Sequence, residues 1–164
     1  MAGKQVNNQR EAALIAEWLM SLPAGWKSET HVSVGAQELV YRGVALTAAQ
    51  QRRFAAWESW ADARVVTDTE IWIVEGKLVA TGSAYGQVLD YCNDYPLTLD
   101  FQQWPGRAIV PVVVCQASRP RTAAYFATLG VRTIVFQPTF DLAQSLQKLF
   151  AGAQILSLGA PAGG

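Results

Sequence analysis

The sequence predicts an α/β domain, with a mixed β-sheet covered by helices on both sides. Short runs rich in Val, Ile and Trp have the length of strands, and stretches with helical apolar periodicity alternate with them. A strand–helix–strand run near the C-terminus predicts two parallel strands. The chain has 164 residues and 51% hydrophobic content, which is enough for one domain with its own core. We expect that domain to span 1–164, with flexible ends at 1–6 and 157–164.

The first predicted element is an amphipathic helix over 7–22, which carries an apolar stripe that includes Ile15. At about 100° per residue, Glu11 extends this stripe by one turn, whereas Glu17 points away from it. An acid on a buried stripe is unusual, so Glu11 is a candidate site residue. The alternative is a solvated acid in the first turn, which the helix dipole favours.

A first strand is predicted over 27–34, where polar and apolar residues alternate. His31 falls on its polar side, which favours a packed or exposed histidine over a catalytic base. The stretch 47–61 reads as a helix, and the helical spacing of Trp57 and Trp60 favours core packing over base stacking.

A β-hairpin is predicted over 63–78, because two apolar runs flank Thr67-Asp68-Thr69. A tight turn at Asp68 and Thr69 sets Asp62 opposite Glu75, with Cβ atoms about 5 Å apart. Lys77 follows on the same face, because side chains alternate along a strand. Two carboxylates and an ammonium therefore converge, which is costly to bury unless they are paired or hold a metal.

The remaining elements complete the predicted order helix, strand, hairpin, helix, strand, helix, strand, with a last helix after it. A helix over 84–93 places Gln87 and Tyr91 one turn apart on the same side. After an irregular stretch come a buried strand, a helix, a strand and a final amphipathic helix, over 108–115, 119–129, 131–136 and 141–150. Pro111 lacks a donor for the sheet, so a bulge or an edge position is expected there.

Composition limits the classes of function. The formal net charge is zero, so any DNA contact must rely on a local patch rather than on a basic surface. Cys92 and Cys115 have no metal-ligand spacing, and nothing indicates a secretory disulfide framework. The N-terminus lacks an apolar signal core and no run is long enough to span a bilayer, so we expect a soluble cytoplasmic protein with no membrane partner, or one packed inside an assembly.

Asp62, Glu75-x-Lys77 and the helical Gln87-x-x-x-Tyr91 together resemble the PD-(D/E)XK nuclease superfamily, in its RecB-like and phage-exonuclease-like branches. The whole chain also resembles small uncharacterised phage-encoded proteins. The resemblance implies a restriction-endonuclease-like core in the order α-β-β-β-α-β. Ala61 stands where Pro is common before the aspartate. Gly76 fills the x position, usually a larger apolar residue, so a packing contact beside the site is expected to be missing.

The resemblance also implies a metal-dependent phosphodiester hydrolase acting on DNA, of phage or mobile-element type. Mg²⁺, or Mn²⁺, would be held by Asp62, Glu75, the Gly76 carbonyl and Glu11, the last directly or through water. Lys77 would orient water or stabilise the phosphorane, and Gln87 and Tyr91 would position the strand or the lysine. Candidate phosphate contacts are Arg52, Arg53, Arg119 and Arg121.

Other interpretations remain open at this point. Glu75 and Lys77 alone could form a surface ion pair, and each arginine could be solvated or paired. The neutral charge and six tryptophans suit a virion structural or assembly component, in a neck or tail, that keeps a nuclease-like fold. A helper subunit that needs a partner to complete its site, or a homo-oligomer, is a further alternative. Such a phage protein would reside in the host cytoplasm or in the virion.

Overall fold

The computed structural model describes residues 2–35 and 59–139, which form one α/β unit. Three helices are described: α1, Ala2–Met20; α2, Gly82–Asp94; and α3, Pro120–Ala127. Five strands are described: β1, Lys27–Val34; β2, Ser59–Val66; β3, Glu70–Ala80; β4, Ala108–Ser118; and β5, Arg132–Val135. Between α2 and β4 lie two 3₁₀ turns, Tyr95–Leu97 and Leu99–Gln103.

The five strands form one mixed sheet in the order β1-β2-β3-β4-β5. The pairs β1–β2 and β2–β3 are antiparallel, whereas β4 runs parallel to both β3 and β5. The two parallel pairs follow from their connections. The crossovers that contain α2 and α3 each return the chain to the end of the sheet at which the preceding strand began. The predicted mixed sheet and its C-terminal parallel strand pair are confirmed.

Helices cover both faces of this sheet, as the sequence predicted. On one face Leu14, Ile15 and Trp18 of α1 pack against apolar side chains of the central strands. On the other face Tyr85 and Val88 of α2 are fully buried against the alternate residues of those strands. Because β3 and β4 are covered on both sides, they read as nearly continuous apolar runs.

The hairpin register is the predicted one. Ala63 pairs with Val74 and Val66 pairs with Ile71, while the Thr67 hydroxyl accepts the N–H of Glu70 at 2.9 Å and closes the turn. The ladder between β2 and β3 ends at the Ala63–Val74 pair, one position before Asp62 and Glu75. The two acids therefore lie where the hairpin strands stop exchanging backbone hydrogen bonds.

Several element boundaries differ from the prediction. The strand β2 starts at Ser59, so Trp60 lies in a strand and not in the predicted helix. The helix α1 starts at Ala2 and includes residues that the sequence placed in a flexible end. Glu17 was predicted to point away from the core, yet it is buried, because its carboxylate accepts the N–H of Thr139 at 2.6 Å and also its hydroxyl.

Pro111 is tolerated because, at this position along β4, only β3 lies beside the strand. It pairs in register with Ile73 of β3, whereas pairing with β5 begins at Val112. A missing donor on the β5 side leaves no partner unsatisfied there, which matches the predicted edge position.

Some predictions concern parts of the chain that the structure does not describe. The predicted helix 141–150, the tail, Trp57, Arg52 and Arg53 all lie outside 2–35 and 59–139. Within those two ranges, no helix has the length and apolar character needed to cross a membrane.

Candidate functional site

The candidate site is a group of three acids around one lysine, which we call the acid–lysine cluster: Glu11, Asp62, Glu75 and Lys77. The ammonium of Lys77 lies 2.9 Å from Glu75 Oε1 and 3.3 Å from Glu11 Oε2. The first helix and the third strand thus contribute to the same site, although 66 positions separate Glu11 from Lys77. The predicted position of Glu11 on the buried side of its helix accounts for this contact.

Asp62 enters the cluster through the end of the hairpin ladder. Its Oδ2 accepts the backbone N–H of Gly76 at 2.8 Å. Since β2 and β3 are no longer paired beyond Ala63, the carboxylate takes the place of a backbone acceptor. This hydrogen bond fixes Asp62 next to the Glu75-Gly76-Lys77 segment.

Burial is the dominant influence on the two hairpin acids. Glu75 is only 2% exposed, and this burial, with the negative charge of Asp62 as the second cause, raises its pKa to about 7. The pKa of Asp62 is raised as well, mainly by burial, although the Gly76 N–H and Lys77 act in the opposite direction. For both carboxylates, the favourable interactions with the protein do not offset the cost of removing the ionised form from water.

In contrast to the two acids, Lys77 has its charged form stabilised by the site. Burial alone would lower its pKa, but the hydrogen bond to Glu75 and the negative charges of Glu75, Glu11 and Asp62 outweigh that effect and raise it. Lys77 is therefore a fixed cation at neutral pH. Such a group stabilises negative charge and does not act as a base.

Gln87 and Tyr91 border the cluster from α2. The Gln87 amide donates to the Tyr91 hydroxyl, as their one-turn spacing predicts. Burial raises the pKa of Tyr91, and the charges of Glu75, Asp62 and Lys77 also act on it. The phenol is thus neutral and close enough to the cluster to feel its charges.

The glycine between Glu75 and Lys77 has a structural reason, which corrects the prediction of a missing packing contact. A Cβ on Gly76 would lie 2.5 Å from Ile15 Cγ1 and 2.8 Å from Ile15 Cδ1. The side chain of Ile15, itself 2% exposed, fills the space that a larger residue at position 76 would occupy. Gly76 therefore lets α1 approach β3 closely, and Glu11 lies one turn before Ile15 on that helix.

We expect Gly76→Ala to lower the free energy of unfolding by about 1–3 kcal/mol, the usual cost of overpacking a core. Ile15 is β-branched and has little rotamer freedom in a helix, so α1 must shift. In an Ile15→Ala background the added methyl has room, and the extra penalty should vanish. Urea unfolding of the four proteins of this double-mutant cycle measures the coupling. Additive effects would contradict the proposed contact.

Stability of the metal-free protein should fall as pH rises from about 4.5 to about 7. The folded state binds a proton at Glu75 over this range while the unfolded chain, with its ordinary pKa near 4.5, releases it. A shift of this size corresponds to roughly 3 kcal/mol at about 1.4 kcal/mol per pKa unit, and Asp62 contributes with the same sign. Urea unfolding in EDTA at several pH values checks this; a flat or rising profile would contradict it.

The cluster suits a hard divalent cation held by few protein ligands. Among the described residues, no three His, Cys, Asp or Glu side chains group closely enough to hold one ion together. The ammonium of Lys77 lies between Glu11 and Glu75, at 3.3 Å and 2.9 Å from their carboxylates. Asp62 and Glu75 remain as a pair, and Mg²⁺ is commonly bound by one or two carboxylates together with water and substrate phosphate. The donor chemistry therefore fits Mg²⁺ or Mn²⁺.

Two of the predicted phosphate-binding arginines are described. Arg119 and Arg121 are exposed where β4 ends and α3 begins. Ser118 pairs with Ala80, so this region borders the end of β3, the strand that carries Lys77. The two arginines thus lie near the C-terminal ends of β3 and β4, beyond Lys77. No contact joins either arginine to the acid–lysine cluster.

Sequence reasoning missed two residues at the cluster. His31 and Trp60 form a parallel stack with ring centroids 4.3 Å apart, and the charge of His31 acts on Asp62. The helical spacing of the two tryptophans obscured the strand that holds Trp60. A useful signal was available in the position of Trp60 two residues before Asp62, which places both side chains on the same face if the strand is extended further back.

Comparisons with known proteins leave the family open. No protein-family model matches the chain, and no curated protein matches it. One solved structure, described as a protein of unknown function, AF1548, is similar over 76% of this chain with 12% identity and a TM-score of 0.41. The chain spans 56% of the length of that protein.

Proposed function

We propose that the acid–lysine cluster is the active site of a metal-dependent phosphodiester hydrolase that acts on DNA. The observation that carries this proposal is the placement of the Lys77 ammonium between the buried Glu75 and Glu11, beside the partly buried Asp62. With all four groups ionised, three negative charges face one positive charge. One divalent cation would balance the cluster, which explains why the protein tolerates such acids in a buried position.

The residues divide the work of hydrolysis among them. Asp62 and Glu75 would hold Mg²⁺ or Mn²⁺ together with the Gly76 carbonyl, and Glu11 would contribute through a water molecule. Such an ion, when bound, would supply Lewis-acid activation and would lower the pKa of a water molecule. Lys77, a fixed cation, stabilises the negative charge that develops on the phosphoryl oxygens. Tyr91, held by Gln87, offers a neutral hydroxyl that can donate to the substrate backbone or to a water.

The order of the elements supports the same proposal. The first six described helices and strands are α1, β1, β2, β3, α2 and β4, and the resemblance implies the same α-β-β-β-α-β order. An acid on the first helix, the acids at the open end of a hairpin and a Gln–Tyr pair on the next helix all meet at the cluster. We therefore propose a member of the PD-(D/E)XK superfamily, serving a phage or mobile element in the host cytoplasm.

A second candidate function is that of an assembly component of a virion neck or tail. The observation that favours it is the exposure of Tyr125, Leu129 and Val135, each about half exposed or more, in the segment that forms the β5 edge of the sheet. Exposed apolar side chains beside an edge strand are candidates for an interaction surface. This edge is formed by β5 and α3, whereas the cluster is formed by α1, β2 and β3, so both functions are compatible with one chain.

Cleavage of DNA tests the primary proposal. Linear, nicked-circular and branched DNA would be incubated with the full chain in Mg²⁺, in Mn²⁺ and in EDTA, alongside Asp62→Asn. We expect cleavage of at least one form that requires the metal and is lost in Asp62→Asn. Cleavage that persists in EDTA or in Asp62→Asn, or no cleavage of any form, would contradict it.

A further inference from the structure

His31 and Trp60 form an exposed aromatic stack beside the cluster. Their ring planes differ by only 9°, and both rings remain open to solvent, with Trp60 38% exposed. The β1–β2 register brackets His31 between the pairs Thr30–Ala63 and Val32–Ala61, which places it opposite Asp62. The stack therefore adjoins the carboxylate that the proposed reaction uses.

The backbone at His31 is held in an unfavourable conformation. Its φ of +56° is the one positive value among the non-glycine residues in the described ranges. Residues with a Cβ avoid this region, and where they adopt it the surrounding structure must hold them there. Such residues concentrate at ligand-binding and catalytic sites. His31 is skipped in the pairing of β1 with β2, and its imidazole stacks on the indole of Trp60.

We propose that the His31–Trp60 stack is a platform for an unpaired nucleobase of a DNA strand whose adjoining phosphodiester lies at the acid–lysine cluster. This inference rests on the proposed function and specifies its substrate as single-stranded or frayed DNA. Inside a duplex both faces of a base are already stacked, so an internal base must be unpaired to use the platform. Stacking on aromatic rings is tolerant of sequence.

The charge of the protein supports this mode of binding. With zero formal net charge, the chain lacks the general attraction for phosphate that supplies most non-specific affinity. The cluster itself is acidic until a metal binds. A base-stacking surface next to it provides affinity that depends on the base and not on the phosphate charge.

An abasic substitution separates these two contributions, because it keeps every phosphate and removes only the base. Fluorescein-labelled oligothymidylate and strands of equal length with one abasic position would be titrated with full-length Asp62→Asn, which is not expected to hydrolyse them. We expect one position at which losing the base weakens binding by about 5- to 100-fold. Adding Trp60→Leu should abolish that difference.

A second variant guards against a merely structural effect. His31→Gly removes the imidazole but suits the positive φ, so the melting temperature should not fall while the abasic difference shrinks. Tyr125→Leu, which removes an exposed aromatic ring from α3, serves as the matched control and should keep the difference. Absence of DNA binding, equal affinity at every abasic position, or an unchanged difference in Trp60→Leu would overturn the platform.

Cleavage by the wild-type chain in Mg²⁺ is recorded separately. If the abasic difference is present and the wild type cleaves nothing, the platform stands as a nucleic-acid contact and the hydrolase proposal fails. If the wild type cleaves and every abasic strand binds equally, the hydrolase proposal stands and the platform fails.

Discussion

Lys77→Met is expected to lower metal-dependent DNA cleavage by about a hundredfold or more, the usual loss when one preorganised charge-stabilising group is removed. The change keeps an unbranched side chain of similar length. It removes the cation that lies 2.9 Å from Glu75 and 3.3 Å from Glu11. Initial rates at saturating DNA measure the effect, because the loss should appear in kcat more than in KM.

Two further proteins make this result interpretable. Lys27→Met removes a lysine that lies over the Trp104 ring, outside the cluster, and should leave the rate unchanged. Asp62→Asn should lose activity as fully as Lys77→Met while it keeps the native circular dichroism spectrum. If Lys77→Met cleaves at the wild-type rate, or if Lys27→Met is equally impaired, Lys77 has no role in the chemistry.

Glu75→Gln is expected to stabilise the metal-free protein at pH 8 while it removes both metal binding and cleavage. Glutamine is close in shape to the protonated acid, which the folded state favours below a pKa of about 7. At pH 8 the wild type must hold the ionised form in a site that is 2% exposed. We expect a gain of about 1–3 kcal/mol in the free energy of unfolding, and a loss of the decline with pH described above.

Glu70→Gln is the matched control for the stabilisation expected of Glu75→Gln. Glu70 lies on the same strand, but the hydrogen bonds from Arg132 and Trp72 lower the pKa of its carboxyl, so its ionised form stabilises the fold. Its loss should destabilise the protein by a few tenths to about 1 kcal/mol, as for other partly exposed ion pairs. Urea unfolding in EDTA at pH 8 compares the two. Destabilisation by Glu75→Gln similar to that by Glu70→Gln would identify a structural ion pair instead.

The changes in the free energy of unfolding expected for Glu75→Gln and Glu70→Gln have opposite signs, which distinguishes a functional acid from a structural one. A residue kept for stability should cost stability when it is neutralised, as at Glu70. A charged residue kept for catalysis can lower the free energy of unfolding, and its neutralisation should then raise that free energy. The same strand therefore offers both cases, separated by five positions.

The parts of the site that depend on local sequence were predictable. The turn residues Thr67-Asp68-Thr69 and the two-residue periodicity of the flanking runs determined the hairpin register. That register, with a helical stripe that includes Glu11, brought the four members of the cluster together. One-turn spacing was enough to pair Gln87 with Tyr91.

The parts that depend on distant contacts were not predictable. Glu17 is buried because Thr139, 122 positions away, supplies two hydrogen bonds. Gly76 is required because Ile15 approaches from another element, a contact that no spacing in the hairpin reveals. The strained backbone of His31 likewise has no local signature, since histidine in an alternating strand normally has a negative φ.

A calorimetric titration of Mn²⁺ into the full chain at pH 8 measures whether the acid–lysine cluster binds a metal ion. We expect a saturable isotherm for a single site in the wild type. Binding should disappear in Asp62→Asn and in Glu75→Gln, and it should persist in Glu70→Gln. An isotherm unaffected by Asp62→Asn and Glu75→Gln, or no binding by the wild type at millimolar Mn²⁺, would contradict the assignment of the acid–lysine cluster as a metal-dependent active site.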